Sequence, residues 1–319
     1  MNPTPISIVQ SRQHTPNHYL FRDLCSAVEE SPLFELLDSG LVQDVEVKHR
    51  QNLLVFGGEE LQDRKLGRII SMSANPCVWF TEDPYETDKN IKFAPKFTKI
   101  LTTDQFSVEK YSGKGFYLPL GTKILEPNQE TFDYKFDVVM FGSLWPNRLD
   151  ILKQLVSNPI TQNLRMLLIT SQAKAKWVDQ EIYKEVVESI CKRGGEVVET
   201  FRPFDLKQLR DFTSMAKVCL NWSRSFKEDL WSVPGPRVIE VAVWGKLQLL
   251  DIESQPGVKS MFDSDSYVSY TQADISSKIH EVLNLPDGKI EEIARRAKET
   301  AINSFTWDKI LLNLHRILI

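Results

Sequence analysis

The feature that most constrains this 319-residue chain is an alternation that starts near residue 137 and repeats with little interruption. "DVVMFG" (137–142) reads as a strand ending in glycine, and "NRLDILKQLV" (147–156) has helical spacing. "RMLLIT" (165–170), "GEVVET" (195–200), "KVCLNW" (217–222) and "LQLLDI" (247–252) read as further strands. Helical patterns at 175–193, 205–216 and 236 onward separate them. Apolar runs of this length between helices argue for strands buried on both faces, which means a parallel sheet sandwiched by helices.

The first half repeats the theme less cleanly. "ISIVQ" (6–10) is a strand, followed by the loop "SRQHTPNH" and a helix of about ten residues from Tyr19. "VEVKH" (45–49), "LLVFG" (53–57), "CVWFTEDP" (77–84), "KILTTD" (99–104) and "GFYLPLG" (115–121) supply more strands. A polar stretch, "PNQETFDYKF", suits a linker, so the reading is 1–133 and 134–302 as two αβα domains. Two such domains carry their strand ends, and any ligand, toward a shared cleft. The tail contains "DGKIEEIARRAKETAINSF", with Asp287 as N-cap, and the amphipathic "WDKILLNLHRILI". The second of these has apolar residues at 310, 311, 314, 317 and 318, a face that must be covered. Residues 303–319 are expected to cross back onto the first domain, with staying on the second domain or joining a homodimer as the other ways to cover them.

Composition narrows the function classes. Thirty-nine basic residues against 43 acidic ones leave a formal charge of −4, which gives no duplex-DNA footprint. The four cysteines are dispersed and the five histidines form no HExxH, so no metal site is expected. No signal peptide and no apolar run of about 18 residues is present, so a cytoplasmic location without a membrane span is expected. The dinucleotide and Walker fingerprints are missing too, which argues against an NAD-dependent oxidoreductase.

Several residues are of types that carry chemistry. In "VPGPRVIEV", Gly235 and Pro236 open a helix whose first amides can face an anion. Arg237 adds donors to that anion, and Glu240 one turn on can accept from a vicinal diol. The alternative is an Arg237–Glu240 surface ion pair, worth about 0.2–0.5 kcal/mol. Gly142 and Arg148, in "FGSLWPNR", form a second turn suited to a phosphate, or else an ordinary loop. His14 and His18 lie in the first strand–helix loop, and Glu82 and Asp83 end a strand. Asp83 can take hydroxyls or act as a base, or it can hold the turn before Pro84.

Together, "WFTEDP", "YLPLGT", "DVVMFGSLWPNR", "NWSRS", "PGPRVIEVAVWGKLQLLD" and "AKETAINSFTWDKILLNL" resemble glycosyltransferases of the two-domain GT-B class. The chain is similar in particular to the spore-maturation-protein-CgeB-like group within glycosyl transferases group 1. That resemblance implies two Rossmann-like domains facing a cleft, the first on the acceptor side and the second on the donor side. It implies a nucleoside-diphosphate sugar as donor, UDP-linked ahead of GDP or TDP, and no cofactor or metal beyond it. By the same resemblance Glu240 holds the ribose hydroxyls, while Arg237, Arg148, Gly142 and Gly235 lie near the diphosphate. Phe201 and Arg202 fall where the base is held, and Asn221 falls at a strand end beside the donor. Arg237, Arg148, His14 and Asp83 are the candidate catalytic residues. The implied reaction is hexosyl transfer with retention to an acceptor that is a glycan, protein, lipid head group, metabolite or modified base. A non-catalytic sugar-nucleotide or protein-binding module and a sugar-nucleotide epimerase are the alternatives. The sequence departs from the larger group at Ser232, where a second glutamate is usual, and at Ile310, where an arginine is usual.

Overall fold

A computed structural model describes residues 2–10, 18–46, 51–58, 61–125, 134–171, 173–200, 204–222 and 233–319. The chain divides into two compact units, 1–123 with 303–319, and 124–302.

The first unit is built on strands β1 (Thr4–Gln10), β2 (Phe34–Leu41), β3 (Asn52–Phe56), β4 (Asn75–Phe80), β5 (Lys99–Thr102) and β6 (Gly115–Tyr117). They lie in the order β2-β1-β3-β4-β5-β6 with every pairing parallel. Helices α1 (His18–Glu30), α2 (Arg64–Met72) and the short α3 (Thr87–Asn90) connect them. The central strands are apolar on both faces, so Ile6, Ile8, Leu54, Val55, Val78 and Trp79 are all buried. Only Val45 and Glu46 of the strand expected at 45–49 are described. Val45 and Glu46 are outside any strand, residues 47–50 lie outside the described residues, and the second strand is β2.

The second unit carries β7 (Phe136–Phe141), β8 (Met166–Ser171), β9 (Glu196–Thr200), β10 (Ala216–Asn221), β11 (Gln248–Asp251) and β12 (Val268–Tyr270). Their order is β12-β11-β10-β7-β8-β9, again all parallel. Its helices are α4 (Pro146–Ser157), α5 (Gln180–Lys192), α6 (Leu206–Ser214), α7 (Pro236–Val243), the short α8 (Val258–Met261), α9 (Ile275–Leu283) and α10 (Asp287–Ser304). One face of the sheet packs Met140, Leu168, Val218 and Leu249 against Leu152, Val186 and Ile279. The other packs Val139, Leu167 and Cys219 against Leu209 and Val241. Asp287 opens α10 as its first residue and pairs with Lys217 at 3.1 Å, where the sequence suggested a cap.

The last helix, α11 (Trp307–Leu318), belongs to the first unit. Ile310, Leu311 and Leu314 are buried, and the Trp307 ring meets Trp79 edge-on at 6.4 Å. Thr122 bridges to Thr306, and Thr4 hydrogen-bonds His315 at 3.1 Å. Gly121 is dictated by this packing, because a Cβ there would stand 2.5 Å from the Trp307 ring.

Candidate functional site

Each sheet has one place where the chain reverses its direction of travel across the strands. In the second unit it is between β7 and β10: from β7 the chain moves outward to β8 and β9, then returns to β10 on the other side. Loops leaving the carboxyl ends of those two strands diverge, and the gap between them is where open parallel sheets take ligands.

Gly142, Ser143 and Arg148 meet Trp222 at this gap. Gly142 follows β7 at φ 131°, a conformation favourable only to glycine. Its lack of a side chain has a second use, since a Cβ would lie 2.6 Å from Arg148 Nη1. Arg148, in the first turn of α4, donates to the Ser143 carbonyl at 2.9 Å and the Trp222 carbonyl at 3.1 Å. Its guanidinium also lies over the Trp222 ring, 5.4 Å from the centroid. The Trp222 indole N–H in turn donates to the Phe141 carbonyl at 3.1 Å. Arg148 and Trp222 therefore tie the ends of β7 and β10 to each other. Alongside, Thr170 Oγ1 donates to the Gly142 carbonyl at 3.0 Å, and the Ser143 and Ser171 hydroxyls pair at 3.2 Å.

The third contributor is α7. Gly235 is its N-cap and brings no side-chain cap, and Pro236 occupies the first turn, where a missing N–H costs nothing. Arg237 pairs with Glu240 and lies over the Phe141 ring, 5.9 Å from its centroid. The ion pair expected from the spacing is present, but it is not a surface pair. The Glu240 side chain is 0% exposed and that of Arg237 is 25% exposed. An ionised carboxylate buried to this degree needs its partner, because removing the partner strands a charge away from water. Asn221 ends β10 beside α7, and its Nδ2 donates to Gln248 Oε1 at 3.2 Å.

Asp83 belongs to the first unit and is fully buried. Its Oδ1 accepts from Thr87 Oγ1 at 3.1 Å and Asn90 Nδ2 at 2.9 Å. Its Oδ2 accepts from Thr102 Oγ1 at 2.7 Å and the Tyr111 hydroxyl at 2.6 Å. Burial pushes its carboxyl above the ordinary value, with the four hydrogen bonds opposing that shift. Four donors on two oxygens fill a carboxylate. This environment is that of a structural hub, in contrast to the acid–base role considered for it. His18 stands at the start of α1, with Nδ1 2.7 Å from Gln10 Oε1 at the end of β1. His14, Phe201 and Arg202 lie outside the described residues, as does Ser232.

Among the described residues, no group of three or more His, Cys, Asp or Glu is arranged to hold a metal ion, and no helix is long and apolar enough to cross a membrane. The sequence reading overlooked Trp222 and Gln248. The hydrophobicity of Trp222 makes it read as part of a strand, and its position directly after Asn221 at a strand end is the signal the sequence offers.

A family profile described as "Glycosyl transferase-like" matches residues 123–316. Spore protein CgeB of Bacillus subtilis (strain 168) is 22% identical over 254 residues, covering 75% of this chain and 74% of its own. Among solved structures, a sucrose-phosphate synthase from Thermosynechococcus elongatus matches with a TM-score of 0.65 at 12% identity, over 98% of each chain. A TarM variant from S. aureus, in complex with Fondaparinux, alpha-GlcNAc-glycerol and UDP, matches 84% of this chain with a TM-score of 0.58 at 11% identity. The chain spans 55% of that TarM. The likeness to these structures lies in the fold, two parallel sheets each flanked by helices, with a final helix after them.

Proposed function

This chain belongs to the glycosyl transferase-like family and carries the GT-B fold, and on that premise we propose that it moves a hexosyl group from a UDP-sugar to an acceptor, with retention and without a metal ion. The observation that carries this reading is the convergence of Gly142, Arg148, Trp222 and the first turn of α7 on the β7–β10 gap. Such a gap, with an uncapped helix N-terminus beside it, suits a diphosphate.

The difficult moment in glycosyl transfer comes as the sugar turns cationic and negative charge grows on the departing diphosphate. We assign the neutralisation of that charge to the amides of residues 236 onward, donors already oriented before the reaction, and to Arg237. Arg148 is a brace here. Two of its donors are on backbone carbonyls, so it holds Ser143 and Trp222 in place for the phosphate. We assign Glu240 to the ribose hydroxyls. Its carboxylate is closed off by Arg237 in this structure, so binding requires Arg237 to swing from the carboxylate toward the phosphate. That exchange links recognition of the ribose to delivery of a positive charge. With Asp83 filled by its four donors, we assign acceptance of the acceptor's proton to the departing phosphate itself. A non-catalytic binding module would share the nucleotide site and show no turnover.

Calorimetry with UDP, GDP, TDP and ADP, each with and without EDTA, tests the reading. UDP is expected to bind most tightly, with affinity unchanged by EDTA. Failure of all four to bind at millimolar concentration would overturn it. Glu240→Gln is expected to weaken nucleotide binding by about 1–3 kcal/mol, the loss of a charge-assisted hydrogen bond.

A further inference from the structure

Asn221 is held by a hydrogen-bond chain whose polarity fixes what it can recognise. The chain starts at the Val238 carbonyl in α7, which can only accept. Gln248 Nε2 donates to it at 2.8 Å, so the Gln248 amide cannot be turned the other way. Its Oε1 must then face Asn221, and only the Asn221 nitrogen can satisfy it, at 3.2 Å. Gln248 is almost fully buried, whereas Asn221 is half-buried, so the Asn221 nitrogen is turned inward. Its Oδ1 is left on the outer side, and among the described residues nothing donates to it.

We propose that Gln248 is a positioning residue that locks the Asn221 amide with Oδ1 toward the ligand, so that Asn221 reads a hydroxyl of the donor's sugar and not a phosphate oxygen. A hydroxyl donates to a carbonyl oxygen, while a phosphate oxygen facing it meets two acceptors and is repelled. The two sides of the gap thus divide the ligand by chemistry: Arg237 and the α7 amides take the anion, and Asn221 takes a neutral donor group. Gln248 reaches the ligand only through Asn221. This inference rests on the nucleotide-sugar reading of the second unit.

The test measures selectivity. The nucleotide that the wild type binds, out of UDP, GDP and TDP, is compared with its glucose-, galactose- and N-acetylglucosamine-linked forms by calorimetry. Asn221→Ala and Gln248→Met are each expected to weaken at least one sugar-linked form about tenfold while leaving the bare diphosphate within twofold. The double variant is expected to lose no more than either single one, because both remove the same contact. Gln248→Glu still presents an oxygen to Asn221, so it should keep the wild-type selectivity even where its carboxylate, set against the Val238 carbonyl, lowers the melting temperature. Equal losses for the bare diphosphate and the sugar-linked forms, additive losses in the double variant, or unchanged selectivity in all variants would each overturn the inference. Should Gln248→Met not fold, Asn221→Ala decides: selectivity equal to the wild type overturns the inference. A wild type that binds none of the nucleotides fails the earlier reading first, which separates the two outcomes.

Discussion

Gly142 shows how much a single position can carry at this site. The φ of 131° and the 2.6 Å approach of Arg148 Nη1 are separate reasons for glycine. Gly142→Ala is expected to destabilise the protein by about 1–3 kcal/mol through backbone strain alone. It should also push the Arg148 head off the Trp222 carbonyl, so nucleotide affinity falls beyond what thermal melting explains. Calorimetry and melting on the same sample check both. Asp83 makes a prediction of the opposite sort, about pH. Its carboxyl is held above the ordinary aspartate value, chiefly by burial, so the folded state keeps a proton that the unfolded chain gives up. The stability it contributes is fully present below the unfolded value of about 3.9 and is lost as pH rises through the folded value. Urea unfolding of the wild type should therefore show a downward component of stability above about pH 4. In Asp83→Asn that component should be missing, with an added loss of about 1–3 kcal/mol from the mismatched donors. A nucleotide affinity unchanged in this variant would agree with the structural role of Asp83.

At the scale of elements, legibility followed burial for the inner strands. Strands β1, β3, β4, β5, β7, β8, β10 and β11 are readable because both of their faces are covered, which leaves nearly continuous apolar runs. Edge strands have no such need, and of these β6 and β9 are legible from their aromatic and β-branched residues while β2 is not. In β2, "FELLDSGL" is mostly half-buried or exposed, so its composition resembles a loop. The three-residue β12 and helices α2 and α9 were missed for a related reason, being short and mixed in character. Helix starts were fixed by caps that periodicity does not detect. Apolar spacing suggested that α5 begins at 175, yet it begins at Gln180, because Asp179 accepts from the amides of Glu181 at 3.0 Å and Ile182 at 3.1 Å. Asp179→Ala is expected to cost about 1 kcal/mol in stability and leave nucleotide affinity untouched. At the site, the turn glycine, the arginines and the α7 entry were legible as residue types. Their partners were not, since the Trp222 carbonyl and the Gln248 amide are brought to them by strands far off in sequence.

At the scale of the molecule, the final helix is a large share of the first unit's core. Trp307, Ile310, Leu311 and Leu314 are buried side chains worth about 1.5–3 kcal/mol each, together comparable to the entire stability of a domain. Removing 303–319 is therefore expected to unfold the first unit. Residues 124–302, with apolar clusters on both faces of their own sheet, should unfold cooperatively as an isolated fragment near the temperature they show in the whole chain. Calorimetric melts of the full chain, the truncated chain and the fragment distinguish this from a helix that serves only to join two copies. The discontinuity of the first unit also sets an order on synthesis. A ribosome delivers residues 124–302 complete while the earlier 1–123 still lacks its covering helix, so the unit begun first is finished last. Until the closing residues emerge, the surfaces of Trp79 and Gly121 that Trp307 covers stay open to solvent, to misdocking and to chaperones. A nascent chain stalled with residues 303–319 still inside the ribosome would carry a complete second unit beside an unfinished first one, and a protease supplied to such stalled complexes should cut before residue 124 far sooner than after it.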